Sequence, residues 1–519
     1  MKTKPLWYLY ETLFNAAEEF PEKTAFIVEG TFYSYSTALN DARRLAAVLV
    51  EGGLQRGDRV ALFLDNTYTN IIGIYATLIA GGVFLIINPQ TKSDKLKYIL
   101  NDSGATVLIS DTHIFSRINP VFADCGSLRN FYYTVSPGDY KLPRNQGCST
   151  GKLSDLLTAS QSIGQQVPSL PNDLAALIYT SGSTGNPKGV MMSHQAMLFA
   201  AQSVSYYLRL DATHTLINVL PLAFDYGLYQ LLMSVLMGAT LVLERSFTYP
   251  AKILKLINDF SVTVFPGVPT IYATLVGMHR RKPFQLPSVT RITNTAAALP
   301  PDYTGALHEI FPNALLFRMY GLTECKRVAY LEPELADEKP TSVGKAIPGT
   351  ETFILDAAGK ECPTGVTGIL HVRGPHIMMG YWNLPEQSGK MLIPGKFPGE
   401  RLLCTHDWFK KDKDGDLYFI GRSDDIIKSR GEKVSPVEVE NVLLSMKGVR
   451  EAAVIGIEDE LLGQAIKAFV VLEDQSVTES MIKKHCIDSL ENFMVPKFLE
   501  IVTELPKTES GKITKKGLR

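Results

Sequence analysis

Residues 175–194 read Ala-Ala-Leu-Ile-Tyr-Thr-Ser-Gly-Ser-Thr-Gly-Asn-Pro-Lys-Gly-Val-Met-Met-Ser-His, and the rest of the chain is read outward from them. The apolar run 175–179 has the character of a buried strand. Thr180, Ser181, Gly182, Ser183, Thr184 and Gly185 follow, hydroxyls and glycines in near succession. Glycine lets the backbone approach a ligand and turn its amides toward it, hydroxyls add donors, and Lys188 adds a positive charge at the far end. A strand entering such a loop is how a phosphate cradle is built. It is not the common phosphate loop, because Lys188 is followed by Gly189 where that motif needs Ser or Thr. The plain alternative, a flexible polar surface loop, sits poorly flush against a buried strand.

Strands alternate with helices along the chain, which implies a mainly parallel sheet. Residues 31–36 read as a strand and 37–54 as a helix; 59–64 and 106–109 read as strands; residues 195–208 read as a helix. Residues 66–91 carry no charge, but Gly81-Gly82 splits the run and Asn88-Pro89 ends it. The expectation there is a helix of about a dozen residues and a short buried strand, since a membrane span needs ~20 apolar residues. Residues 135–172, rich in Pro, Gly, Ser and Gln, read as a loop. At 519 residues the chain is too long for one core and suits a multi-lobed body plus a smaller domain. Lys plus Arg total 52 against 53 for Asp plus Glu, so no charge excess argues for nucleic acid or an anionic membrane. Six scattered cysteines without a C-x-x-C pair suggest free thiols in a reducing, cytoplasmic setting. Glu11, Glu18 and Glu19 break any signal-peptide pattern.

Four further motifs stand apart from the opening stretch. They are Met319-Tyr-Gly-Leu-Thr-Glu324, Cys404-Thr-His-Asp-Trp408, Tyr418-Phe-Ile-Gly-Arg-Ser-Asp-Asp-Ile-Ile-Lys428 and Leu505-Pro-Lys-Thr-Glu-Ser-Gly-Lys512. With residues 180–188 they resemble, in order and over residues 31–512, the adenylate-forming superfamily of acyl-CoA synthetases, peptide-synthetase adenylation domains and luciferases. That resemblance implies an α/β fold. A large N-terminal body, residues 1–423, combines parallel sheets, helices and a small β subdomain to which residues 368–374 and 379–382 are expected to belong. A small mobile α+β lid, residues 424–519, completes it. The resemblance also implies ATP and Mg²⁺. Thr180 to Gly185 and Lys188 line the phosphates; Tyr320 packs on adenine, where residues 296–298 also face; Thr323 contacts the α-phosphate and Glu324 holds Mg²⁺. Asp407 accepts from the ribose hydroxyls, although His406 replaces the family's usual glycine. Arg422 reaches the nucleotide, Asp424 is the hinge, and Lys512 bridges the substrate carboxylate and the α-phosphate.

Asp225 lies in an apolar run, where a carboxylate is costly unless paired. It suits a salt bridge, a helix N-cap, or the counter-ion of a cationic substrate. Phe224-Asp225 matches a pair that binds the amino group in amino-acid-activating relatives. By the same resemblance, Tyr226, Tyr229, Pro266, Asn294, Met319 and Arg327 wall the acid pocket, and the two tyrosines favour a compact amino acid such as proline. The implied reaction forms acyl-AMP and pyrophosphate, then passes the acyl group to a phosphopantetheine thiol. Seven residues follow Lys512, so the thiol is expected in trans, from a discrete carrier protein or from coenzyme A. The alternatives are an AMP-forming acyl-CoA synthetase for a non-amino carboxylic acid, and a non-enzymatic nucleotide-binding protein.

Overall fold

The computed structural model describes residues 5–518 apart from 161–165, 181–185, 296–298, 300–302, 423–424, 426, 430–431, 460–462, 475, 491, 493 and 509–511. Among the described residues, two large sheets carry the N-terminal body. One has eight strands and includes Arg59–Phe63, Val83–Ile87, Val107–Asp111, Leu174–Thr180 and Lys188–Ser193. The other has nine, with Thr215–Asn218, Val264–Gly267, Arg291–Asn294 and Leu315–Tyr320 running parallel as neighbours. The C-terminal ends of these four strands feed the turns that carry the candidate site, as expected of an open parallel sheet.

The uncharged run 66–91 resolves as expected. Helix Tyr68–Ile79 is capped by Thr67, and strand Val83–Ile87 is buried throughout. Burial on both faces explains an unbroken apolar run without a membrane. Among the described residues no helix is long and apolar enough to cross one.

Two expectations are corrected. Residues 135–172 are not all loop: Ser149–Lys152 is an edge strand beside Asn130–Thr134, and Leu153–Ala159 is a short helix. Residues 379–382 do not join the small β sheet. Gly368–Arg373 does, but Gly380–Tyr381 pairs with Lys188–Ser193 and extends the eight-stranded sheet.

Residues beyond 426 build a separate core around Ile427, Val439, Val454, Val470, Ile482 and Cys486. Helix Pro436–Ser445 opens on Ser435, whose hydroxyl accepts from the Glu438 amide, an N-cap with an acid in the first turn.

Candidate active site

The opening stretch forms a hairpin. Leu174–Thr180 pairs antiparallel with Lys188–Ser193, placing Thr180 opposite Lys188. Ser181, Gly182, Ser183, Thr184 and Gly185 lie outside the described residues, but both ends of the loop are held in the sheet. Gly380–Tyr381 pairs with the outer edge of this hairpin. The Lys188 ammonium lies 5.3 Å from the centre of the Tyr381 ring, and the Tyr381 hydroxyl donates to Glu324 Oε1 at 2.6 Å. The loop stalk and Glu324 are therefore linked through one tyrosine.

Strand Leu315–Tyr320 delivers the second motif. A Cβ at Gly321 would stand 2.2 Å from the Lys326 carbonyl oxygen, so only glycine lets this turn close. Thr323 and Glu324 are left half-buried at its edge. The Tyr320 hydroxyl donates to Asp407 Oδ2 at 2.5 Å, and its ring meets Phe409 edge-on. Asp407 is buried in strand Arg401–Lys411, opposite Arg422 of strand Leu417–Arg422, whose Nε stands 3.6 Å from Oδ1. Burial raises the Asp407 pKa, and the Arg422 charge opposes that rise. His406 adopts φ +56°, a left-handed backbone that glycine takes more readily than an L-residue.

Helix Asp225–Leu236 starts the third wall. Its N-cap is Phe224, without a side-chain cap, and Asp225 is its first residue. Among the described residues Asp225 forms no salt bridge. It is half-buried, and its charge is felt by Lys512 and by Lys326. Tyr226 is buried, with its hydroxyl 2.6 Å from Thr293 Oγ1. The buried Tyr229 hydroxyl donates to the Met197 carbonyl at 3.4 Å, and Met319 Sδ accepts from Tyr207 at 2.8 Å. Pro266 and Asn294 lie buried near the ends of adjacent strands. Arg327 donates to Thr295 Oγ1 at 2.9 Å and lies 5.4 Å from the Tyr226 ring centre.

Lys512 enters this cleft from the small domain. Its segment is held by the Thr508 hydroxyl, which accepts from the Lys512 amide, by the Lys507–Glu451 and Lys515–Glu440 salt bridges, and by a bridge between Lys507 and Ile513. The side chain stays solvent-accessible, yet the cleft walls desolvate the ammonium enough to lower its pKa, with Asp225 and Asp407 opposing and Arg422 and Arg327 assisting. Lys512 thus lies in the field of both the ribose-side acid and the acid-pocket wall. Asp424 lies outside the described residues. A surface hollow of about 710 Å³, lined by Met191, Leu384, Ser388 and Arg401 among others, reaches Tyr381 but includes none of Asp225, Asp407 and Lys512.

A family profile described as AMP-binding enzyme matches residues 13–382, and one described as AMP-binding enzyme C-terminal domain matches 438–512. The chain belongs to the AMP-binding enzyme family. A long-chain-fatty-acid–CoA ligase of Bacillus subtilis (strain 168) is 30% identical to it, with 98% of this chain and 94% of that protein covered. Gramicidin S synthase 2 of Brevibacillus brevis is 28% identical over 96% of this chain, which spans 11% of that much longer protein. Among solved structures, ATP-bound MatB from Rhodopseudomonas palustris matches with a TM-score of 0.87 at 28% identity, covering 99% of this chain and 98% of that one. The anthranilate CoA ligase AuaEII in complex with anthranoyl-AMP matches with a TM-score of 0.89 at 28% identity, covering 98% and 96%. The adenylate-forming resemblance, the α/β body and the small C-terminal domain are borne out, and the chain is an AMP-forming ligase of this superfamily.

Three residues of this family member's site escaped sequence reasoning: Tyr381, Lys326 and Thr295. Tyr381 reaches Glu324 only through a two-residue strand. Lys326, directly after the Thr-Glu-Cys run, did leave a signal, a charge in an otherwise buried stretch.

Proposed function

We propose that this AMP-forming ligase activates a small amine-bearing carboxylic acid and passes it to a phosphopantetheine thiol on a discrete carrier protein. A carboxylate oxygen attacks the α-phosphorus of ATP, the bond to the β-phosphate oxygen breaks, and pyrophosphate leaves with the electron pair. No general base is needed, since the acid is already ionised. Two anions meet, so positive charge and donors at the developing oxyanion carry the rate. Lys512 supplies the charge; Thr180 and Thr323 supply hydroxyl donors. Lys188 and the loop 181–185 bind the phosphates, Tyr320 lies on adenine, and Asp407, oriented by Tyr320 and Arg422, accepts from the ribose. Glu324 fits Mg²⁺: Tyr381 donates to one carboxylate oxygen and leaves the other for an ion that prefers oxygen ligands. When bound, Mg²⁺ offsets phosphate charge. The thiol sulfur then attacks the acyl carbon and AMP departs. The small domain, from residue 424 onward with Asp424 as its pivot, exchanges Lys512 for a thiol path between the two steps.

The amine reading is carried by Asp225: a half-buried carboxylate without a salt bridge among the described residues, its charge reaching Lys512. A second reading, coenzyme A ligation of a non-amino acid, draws on the fatty-acid relative and on Lys326, whose charge also reaches Asp225. Pyrophosphate exchange with an amino acid and its des-amino analogue separates them. Asp225→Ala is expected to lower kcat/KM for the amino acid by about 2–3 kcal/mol, ~30- to 160-fold, with the des-amino acid little affected. An unchanged preference ratio would leave the second reading.

A further inference from the structure

Lys326 and Arg327 bury two adjacent cations on the acid-pocket side of the Gly321 turn. Lys326 is 2% exposed and Arg327 5%. The Lys326 ammonium and the Arg327 Nε–H have no hydrogen-bond partner among the described residues. Among the described residues, no carboxylate lies within ion-pair distance of either side chain. A buried charge left without a counter-ion is expensive and is normally paired or neutralised.

The chain contains its own comparison. Arg318, also buried, donates to the Ala336 and Pro340 carbonyls and to the Thr304 hydroxyl. That is a structural arginine tied to backbone, although its Nε–H, like that of Arg327, has no partner among the described residues. Arg327 instead donates to Thr295 Oγ1, interacts with the Tyr207 hydroxyl and lies over the Tyr226 ring, with no backbone carbonyl bonded to its guanidinium among the described residues. Tyr226 is the residue after Asp225, so the Arg327 side chain lies against the helix that Asp225 opens, and its charge acts on Lys512. A strained backbone supports the arrangement: Lys326 holds φ +65°, a conformation unfavourable for a side-chain-bearing residue.

The charges near the pocket do not balance. Lys512 serves the reacting carboxylate and the α-phosphate. Asp225 and Glu324 both act on Lys326, which leaves Arg327 without a carboxylate partner among the described residues. One buried positive charge still lacks a partner, and the substrate is the component that can bring it. We propose that Lys326 and Arg327 form a subsite for a second carboxylate, so that the activated acid is a short dicarboxylic acid, with its far carboxylate on the Arg327 fork and its near one beside Lys512. Guanidinium and carboxylate match as a two-bond fork. A neutral side chain such as that of proline would leave Arg327 as it stands, unpaired.

This inference rests on the proposed function only in placing the acid between Lys512 and Asp225; it holds with or without an amine. The test is pyrophosphate exchange by the full chain with two matched pairs, aspartate against asparagine and succinate against butyrate. The diacid is expected to win by at least about 100-fold in one pair or both, because a site built to pair a charge rejects the analogue lacking it. Arg327→Gln should erase that preference through a higher KM for the diacid, with the KM for ATP unchanged. Arg327→Lys, which keeps the charge, should retain part of it and guards against a variant that merely folds poorly. Equal rates within both pairs in the wild type, or a preference that survives Arg327→Gln, would overturn the subsite. Equal use of aspartate and succinate, with the diacid preference intact, would instead overturn only the amine assignment of Asp225.

Discussion

His406 holds a left-handed backbone, φ +56°, one residue before the buried Asp407. For an L-residue that conformation costs about 1–2 kcal/mol, and glycine would remove the cost while adding ~0.5–1 kcal/mol of unfolded-state entropy. His406→Gly is expected to stabilise the large body by under about 1 kcal/mol without changing the nucleotide KM, read as a rise in the thermal midpoint. A fall would mean that the imidazole contributes contacts which outweigh the strain. Asp225 marks how far single residues were legible. Sequence offered it three roles, a salt bridge, a helix N-cap and a substrate counter-ion; Asp225 is instead the first residue of a helix whose N-cap is Phe224, and no salt bridge forms among the described residues. The signal at Lys326 went unread because its burial comes from a turn folded tightly on Gly321, and two adjacent charges, Lys326 and Arg327, ordinarily mark a solvated surface.

At the scale of elements, His113 joins the ends of two parallel strands. Its imidazole contacts Asp111 at 2.7 Å and Asp65 at 2.9 Å, just after Arg59–Phe63. Bonds to Asp111 and Asp65 raise the His113 pKa to about 9. The Asp65 carboxyl is lowered chiefly by its bond to His113; burial pushes Asp111 up, but bonds from His113 and Thr134 outweigh it. The imidazolium's contribution is thus complete below the unfolded value near 6.5 and lost as pH rises through about 9, while the acids' contribution is lost only toward low pH. The stability gap between wild type and His113→Gln should be larger at pH 6 than at pH 9.5 in urea denaturation; a gap independent of pH would reduce His113 to packing. The strand–helix alternation around this node was readable because buried parallel strands are uniformly apolar. Ser149–Lys152 was not, since a polar edge strand lacks any alternation, and Gly380–Tyr381 was misassigned because two residues cannot declare which sheet they join.

At the scale of the molecule, Lys512 reaches the cleft only because the small domain is seated on the large one. Arg280 of helix Pro269–Arg281 bridges to Glu473 at 2.9 Å across that boundary. Both side chains are half-exposed, so the bridge contributes ~0–1 kcal/mol. Arg280→Glu turns it into repulsion and should slow single-turnover adenylate formation a few-fold while sparing thioester formation; Lys512→Ala should abolish the first step outright. Equal slowing of both steps by Arg280→Glu would argue against distinct domain poses. The division into body and lid was legible from length and the motif order. How the lid sits was not, because it depends on surface charges that look ordinary in a sequence.

The outermost ribbon of the eight-stranded sheet carries one more implication. Residues 174–180, 188–193 and 380–381 are stitched edge to edge by main-chain bonds, although the last lies almost two hundred positions downstream. Tyr381, at the end of that ribbon, grips Glu324. On the roles proposed above, a triphosphate at the loop and an ion at Glu324 would need no direct contact to influence each other, because the paired backbone and the Tyr381–Glu324 bond join the two places.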